Sequence, residues 1–158
     1  MGNIFTLGTK FSDPYLKYKD SDGKENIVFM GSYGIGPARV MGTIVETLSD
    51  DKGIIWPESI APFQVHLLAL GEDEAVKSKA TEVYEKLIAQ GVEVLFDDRV
   101  GLSAGEKFAD ADLLGMPLRA VISKRSLEEN GVEIKKRTEE KGRVVSVDEL
   151  MNLLKTNN

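Results

Sequence analysis

Several groups of side chains in this sequence are of types that could do chemistry. Gly31-x-x-Gly34-x-Gly36-Pro37-x-Arg39 falls where a strand is expected to enter a helix. Glycines there let a ligand or a second backbone approach closely, and the unpaired N–H groups of a helix start attract an anion. Arg39 adds a flat cation able to stack on a purine or pair with phosphate. The spacing is neither the dinucleotide fingerprint nor a P-loop, and a purely structural turn is the competing reading. Asp97-Asp98-Arg99 lies just beyond an expected parallel strand, where open α/β sheets place ligands. A solvated turn with a local Asp–Arg pair is the alternative. Lys107 and Phe108, one turn into the next helix, offer a cation for phosphate and a ring for a base, unless Phe108 is core with Leu113 and Leu114. His66 alternates with the apolar residues of its strand and reads as a satisfied core or rim histidine. Residues 118–143 are locally basic, with 8 Lys+Arg against 5 acids, for which a solvated face is the default.

The elements that must position these groups differ along the chain. Before residue 60, short apolar runs alternate with clustered glycines. Asp20-Ser21-Asp22-Gly23 reads as a hairpin turn, with a second strand over 27–30. Pro37 suits the first turn of a helix whose Ala38, Met41, Ile44, Val45 and Leu48 recur at three- and four-residue steps, and Ser49 to Gly53 ends it. Residues 54–62, with two prolines, look like a connector, so a boundary is expected near residue 60. From Phe63 the pattern becomes strand, helix, strand. An unbroken apolar run over 65–70 predicts a strand covered on both faces. Val76, Ala80, Val83 and Leu87 mark one face of a helix ended by Gly91, and the strand over 92–96 follows by a right-handed parallel crossover. Ser103 and Glu106 have capping-box spacing, which predicts a helix over 104–114 closed by Gly115. Strands are expected over 118–122, 132–137 after an Asn130-Gly131 turn, and 143–145. A second capping box, Ser146 to Glu149, starts a terminal helix with Leu150, Leu153 and Leu154 facing inward.

Composition limits what such a chain can do. Its 158 residues are 42% hydrophobic and 29% charged, enough to bury a core and too apolar for global disorder. The charges sum to −6, so a general positive field cannot bind nucleic acid; any RNA contact has to be local and shaped. Without cysteine, and with His66 alone, disulfides, thiolate zinc sites and multi-histidine sites are excluded, and no metal site is expected. No long apolar run and no signal-peptide layout occurs, which leads to the expectation of a cytoplasmic protein with no membrane partner. Met1 to Thr6 matches the myristoylation pattern only formally.

Read in order, Gly2-Asn3-Ile4-Phe5-x-Leu7-Gly8-Thr9-Lys10, Met30-Gly31-Ser32-Tyr33-Gly34-Ile35-Gly36-Pro37-Ala38-Arg39 and Gly53-Ile54-Ile55-Trp56-Pro57-x-x-Ile60-Ala61-Pro62-Phe63-Gln64-Val65 resemble bacterial-type prolyl-tRNA synthetase. The resemblance continues through Asp97-Asp98-Arg99, Gly105-x-Lys107-Phe108-x-Asp110-Ala111-Asp112-Leu113 and Gly115-Met116-Pro117. It implies two parts. Residues 1–60 are similar to the last part of a class II catalytic domain, including its motif 3. Arg39 matches the arginine that contacts the adenine side of ATP, Gly31, Ser32, Gly34 and Gly36 match the floor of the proline and adenylate pocket, and Asn3 its rim. Ser32 departs from members that carry cysteine there. Residues 61–158 resemble the anticodon-binding domain, an α/β fold with a mixed five-stranded sheet flanked by three helices. Asp97, Asp98, Arg99, Lys107 and Phe108 are then the anticodon-binding candidates, with the anticodon loop of tRNA(Pro) as partner.

The family's motif 1, motif 2 and editing insertion have no counterpart in the sequence. The resemblance therefore implies a chain that is inactive alone, with ATP and Mg belonging to the intact enzyme and no cofactor expected here, unless a companion chain carrying the missing catalytic portion completes it. Because Gly-Asn-Ile-Phe is internal in the family, Met1 reads as an artificial or split-gene start. The competing reading is an autonomous small-molecule or protein-binding α/β module derived from a synthetase.

Overall fold

A computed structural model describes residues 2–155; Met1, on which the myristoylation match and the start-site reading rest, lies outside them. The chain divides into two compact units between Ile44 and Val45.

In the first unit, β1 (Gly2–Gly8) is followed by the hairpin of β2 (Lys17–Lys19) and β3 (Glu25–Ile27), then β4 (Met30–Ile35) and α1 (Pro37–Thr47), which runs into the second unit. The hairpin turn is held as its sequence predicts. The Asp20 carboxylate accepts from the backbone N–H of Asp22 and Lys24 and from Asn26 Nδ2, and Gly23 takes a left-handed φ of 78°. The expected strand over 27–30 is broken, since β3 ends at Ile27 and β4 begins at Met30. The glycine segment is also not the strand-to-helix turn it resembles. Most of it forms β4, antiparallel to β1 with Asn3 opposite Gly34 and Phe5 opposite Ser32, leaving Gly36 as the turn. Cross-strand pairing absorbs the glycines because none of those in β4 has a positive φ. The β1–β4 ribbon has two open edges, and its Ile4, Tyr33 and Ile35 side chains are exposed.

The second unit begins with a small hairpin, β5 (Ser49–Asp50) and β6 (Gly53–Ile54), whose turn Asp50 closes by accepting from the N–H of Lys52 and Gly53. Then come β7 (Val65–Ala69), α2 (Glu74–Ala89), β8 (Val94–Asp97), α3 (Ala104–Leu114), β9 (Leu118–Ile122), α4 (Lys124–Glu128), β10 (Val132–Lys136), β11 (Arg143–Val145) and α5 (Val147–Lys155). The five-stranded sheet has the order β11-β10-β9-β7-β8. Strand β7 is parallel to β8 and β9, and β10 is antiparallel to β9 and β11, so the sheet is mixed.

Alternation along β7 sorts the two layers. Val65, Leu67 and Ala69 enter the main core with Val76, Ala80, Val83 and Leu87 of α2 and Leu150 and Leu154 of α5. Leu68 instead joins Val121, Ala111 and Phe108 on the α3 side. Fully burying each of these leucines contributes about 1.5–3 kcal/mol, and the two apolar layers explain why β7 reads as a continuous hydrophobic run.

Some details depart from the sequence reading. Leu153 stays partly exposed, and only Leu150 and Leu154 turn inward. The Ser146 box closes on one side only: its hydroxyl takes the Glu149 N–H, while the Glu149 carboxylate is drawn 2.7 Å from Arg143 Nη1. A fourth helix in this unit, α4, occupies the expected loop after β9, capped by reciprocal Ser123–Ser126 bonds. Residues 45–60, read from sequence with the first part, are compact with the second. Gly53 is packed so closely on α3 that a Cβ there would lie 2.3 Å from Leu113 Cα, and one on Gly115 would lie 1.9 Å from Ile54 O. The N–H of Trp56 donates to Gly115 O at 3.1 Å.

Candidate nucleic-acid interface

The α3 side of the sheet positions most of the chemistry expected from the sequence. Strand alternation sends His66 of β7 and Leu95 and Asp97 of β8 toward this side, and the helix faces them with Lys107, Asp110, Leu113 and Leu114. α3 is fixed locally at both ends. Ser103 accepts from the Glu106 N–H and the Glu106 carboxylate accepts from the Ser103 N–H, while Gly115 closes the helix at a left-handed φ of 71°.

Asp97 is buried at the end of β8. Its Oδ1 accepts from Arg99 Nε at 3.0 Å and its Oδ2 from Arg99 Nη2 at 2.7 Å, with the Arg99 N–H adding a third bond at 3.2 Å. Planar fork pairing of this kind is strong and directional. It holds the Asp97 carboxyl down at about 2, against the opposing effect of burial. The same guanidinium donates to Asp110 Oδ2 at 2.8 Å, and the two carboxylates raise its own pKa. Arg99 is therefore held in one orientation while about half of its side chain, 49%, stays open to solvent. Asp98 is exposed, and no hydrogen bond or ion pair holds its side chain among the described residues.

Lys107 does not present its ammonium to solvent. It is 2% exposed, and Nζ donates to Ala69 O at 2.8 Å and Asp97 O at 3.2 Å, and lies 3.3 Å from Asp97 Oδ1. The cation ties the ends of β7 and β8 to α3, so the phosphate contact considered from the sequence gives way to an internal strut. Phe108 is packing: it lies against the small core of Leu68, Ala111 and Val121, with the Arg119 guanidinium 4.4 Å from its ring centre.

Beside the Asp97–Arg99–Asp110 group lies a hollow of about 270 Å³, bordered also by His66, Leu95, Leu113 and Leu114. His66 is buried, as a core or rim histidine should be, yet Nδ1 has no hydrogen-bond partner among the described residues. Burial pushes the imidazole down to about 4, only partly offset by Asp97. Sequence reasoning missed Asp110 and passed over His66. The signal for Asp110 was its place one helical turn after Lys107; for His66 there was none beyond its residue type.

Much of the basic stretch is spent internally. Arg137 is bound to Asp50 and donates to Asp112 O, and Arg119 pairs with Asp112 at 3.1 Å. A second hollow, about 190 Å³, opens near Pro117, Leu118, Ile134 and Leu153, with Lys136 and Arg143 at its border. In the first unit, Arg39 folds over Gly36 so closely that a Cβ there would meet its Nε at 2.7 Å. Asn3, Gly31, Ser32, Gly34 and Arg39 are exposed on β1, β4 and the start of α1. Among the described residues, no cluster of His, Cys, Asp or Glu could hold a metal ion, and no helix is long and apolar enough to cross a membrane.

Comparison with known proteins agrees with this architecture. Residues 64–157 match the family model described as anticodon binding domain. The chain is 46% identical to the proline–tRNA ligase of Persephonella marina, over 98% of its own length and 27% of the relative's. It is 45% identical to that of Bacillus velezensis over 99% of its length and 28% of the relative's, and 44% identical to that of Azorhizobium caulinodans over 98% and 36%. It thus spans about a quarter to a third of the proline–tRNA ligases it matches. With its mixed five-stranded sheet and the match over residues 64–157, the chain belongs to the anticodon binding domain family, and nearly its whole length is similar to part of a proline–tRNA ligase.

Proposed function

We propose that the second unit recognises the anticodon loop of tRNA(Pro) as part of a proline–tRNA ligase. The observation that carries this reading is a partly exposed guanidinium, Arg99, fixed between Asp97 and Asp110 beside an open hollow, with Asp98 free next to it. A proline anticodon carries two guanines, and the Watson–Crick edge of guanine offers two N–H donors that a carboxylate accepts well. Bases in an unstacked loop leave those edges open. An acidic chain can therefore select RNA by shape and hydrogen bonding without a general positive field.

The free carboxylate is assigned to Asp98. Asp97, whose two oxygens are both occupied by Arg99, is a positioning residue that aims the guanidinium at a phosphate or a neighbouring base. The supporting test is affinity of the purified chain for an anticodon stem-loop with both guanines and with each replaced by cytosine. Preference for the loop with both guanines is expected; equal binding of all three defeats the assignment.

For the first unit we propose the role of a catalytic-domain remnant. Arg39, held over Gly36, and the β1–β4 surface around Asn3, Ser32 and Gly34 fit one side of an adenylate, so Arg39 would meet the purine when ATP is bound by the intact enzyme. Mg, like ATP, is expected to belong to the intact enzyme. Activation of proline by ATP belongs to the longer ligase, and proline-dependent ATP–pyrophosphate exchange by this chain alone is expected to stay at background.

A further inference from the structure

The face of the sheet that packs on α2 and α5, opposite the Arg99 side, has a hollow of its own, of about 190 Å³. Leu118, Ile134 and Leu154, at the margin of the main core, meet Pro117 and Leu153 around it. Concave apolar sites with a few convergent polar groups are where small ligands bind. We propose that this hollow binds a free α-amino acid with a large apolar side chain. The inference stands apart from the anticodon reading and shares no residue with it.

The polar border selects the ligand class. Arg143 stands opposite Ile134 and Lys136 opposite Leu118 across the strands, so both cations lie on the side of the hollow. Arg143 donates from Nη1 to Glu149 at 2.7 Å and has no other partner among the described residues, which leaves Nε and Nη2 of its five donors open. Lys136 Nζ lies 3.7 Å from Glu58. The Glu139 carboxylate accepts only the backbone N–H of Lys136, at 3.4 Å, and has no cationic partner among the described residues. The border thus offers one guanidinium with open donors and one carboxylate without a counter-charge.

An α-amino acid carries the complement of both on a single carbon, a carboxylate for Arg143 and an ammonium for Glu139, each making charge-assisted bonds. Two acids and two cations line the hollow, so a ligand of zero net charge leaves the balance undisturbed. A plain carboxylic acid sets a second anion beside Glu139, and a plain amine a further cation beside Arg143. Size fits a bulky side chain: the hollow exceeds the roughly 150 Å³ that accommodates a benzene ring, which suits phenylalanine or leucine and leaves glycine with nothing to bury.

The test titrates the full chain with L-phenylalanine, 3-phenylpropionate (no ammonium), L-phenylalaninamide (no carboxylate) and glycine (no side chain), followed by backbone amide chemical shifts. L-phenylalanine should move the signals of Leu118, Ile134, Arg143 and Leu153 and leave those of Asp97, Arg99 and Asp110 in place. Each of the other three should bind about tenfold more weakly or worse. Arg143→Gln should reduce L-phenylalanine to the affinity of its amide, and Glu139→Gln to that of 3-phenylpropionate, both variants melting as the unmodified chain does because both positions are exposed. Leu153→Trp, which fills the mouth from a partly exposed position, should abolish binding. The site is overturned if 3-phenylpropionate or the amide binds as well as L-phenylalanine, the result of an apolar hole with no polar reading. It is equally overturned if no signal around the hollow moves, or if Arg143→Gln and Glu139→Gln bind as the unmodified chain does. Those two variants decide the matter even where Leu153→Trp fails to fold.

Discussion

Arg137 and Asp50 stand 87 positions apart and share two hydrogen bonds, Nη2 to Oδ1 at 2.6 Å and Nη1 to Oδ2 at 2.9 Å. Nε of the same guanidinium donates to Asp112 O at the end of α3. One side chain just past the end of β10 thus fastens the β5–β6 hairpin to the helix that carries Asp110. The pairing holds the Asp50 carboxyl well below the usual carboxylate range. A carboxyl depressed in the folded state contributes stability above its unfolded pKa and loses it as pH falls below about 4. Arg137→Met should therefore lower the melting temperature at pH 7 and flatten the acid limb of a stability profile, whereas Lys136→Met, at an exposed neighbour, should do neither.

Lys107→Met separates a strut from a phosphate contact. Removing the ammonium leaves the carbonyls of Ala69 and Asp97 short of a donor, and breaking a buried charge pair costs roughly 3–5 kcal/mol; the value should fall toward the lower end because Arg99 still pairs with Asp97. Denaturant unfolding measures this loss. At temperatures where the variant is folded, the salt dependence of its RNA affinity should match that of the unmodified chain; a slope reduced by about 1 would instead mark a direct phosphate contact.

The acid response of His66 has a definite sign. Its pKa falls from 6.5 in the unfolded chain to about 4 in the fold, so the unfolded state binds the proton first and stability declines as pH drops from about 6.5 toward 4. By linkage the loss is on the order of 3 kcal/mol. His66→Leu should hold its stability across that window, measured by urea unfolding at pH 7 and pH 4.5.

Segment boundaries offer a third kind of test. A chain starting at Val45 retains the Asp50–Arg137 pair, the Gly53–Leu113 approach and the Trp56–Gly115 bond. A chain starting at residue 61 loses all three. Both should melt cooperatively, because the five-stranded sheet and its core lie beyond residue 64, but the longer one should melt several degrees higher. Residues 1–60 alone should give no cooperative transition; a sharp one would show that the first unit needs no further sheet.

Where structure was set by neighbours in sequence, it was legible. The ends of α3 follow from Ser103, Glu106 and Gly115, and the buried face of α2 from Val76, Ala80, Val83 and Leu87. Strand β9 was readable because its apolar run is bounded by Pro117 and Ser123. The β1–β4 pairing was not legible, because glycines give no alternating pattern and the partner strand is some thirty residues away. Helix α4 was hidden by a serine at the position where a capping box usually has Glu or Gln. In the candidate site, the Asp97-Asp98-Arg99 turn was found from its place after a parallel strand. The inward course of Lys107 was not, because a long cationic side chain ordinarily reaches water and only the converging carbonyls of β7 and β8 decide otherwise.

The open ribbon of β1 and β4 bears on how the protein behaves at high concentration. Ile4, Tyr33 and Ile35 are each more than three-quarters exposed on strands whose outer edges pair with no further strand among the described residues. Edges of that kind recruit further strands, and what holds copies apart at neutral pH is the net charge of −6. Near pH 4.9 that repulsion vanishes, so self-association should set in there through the first unit, and a light-scattering titration of the intact chain beside one beginning at Val45 would show the intact chain clouding first.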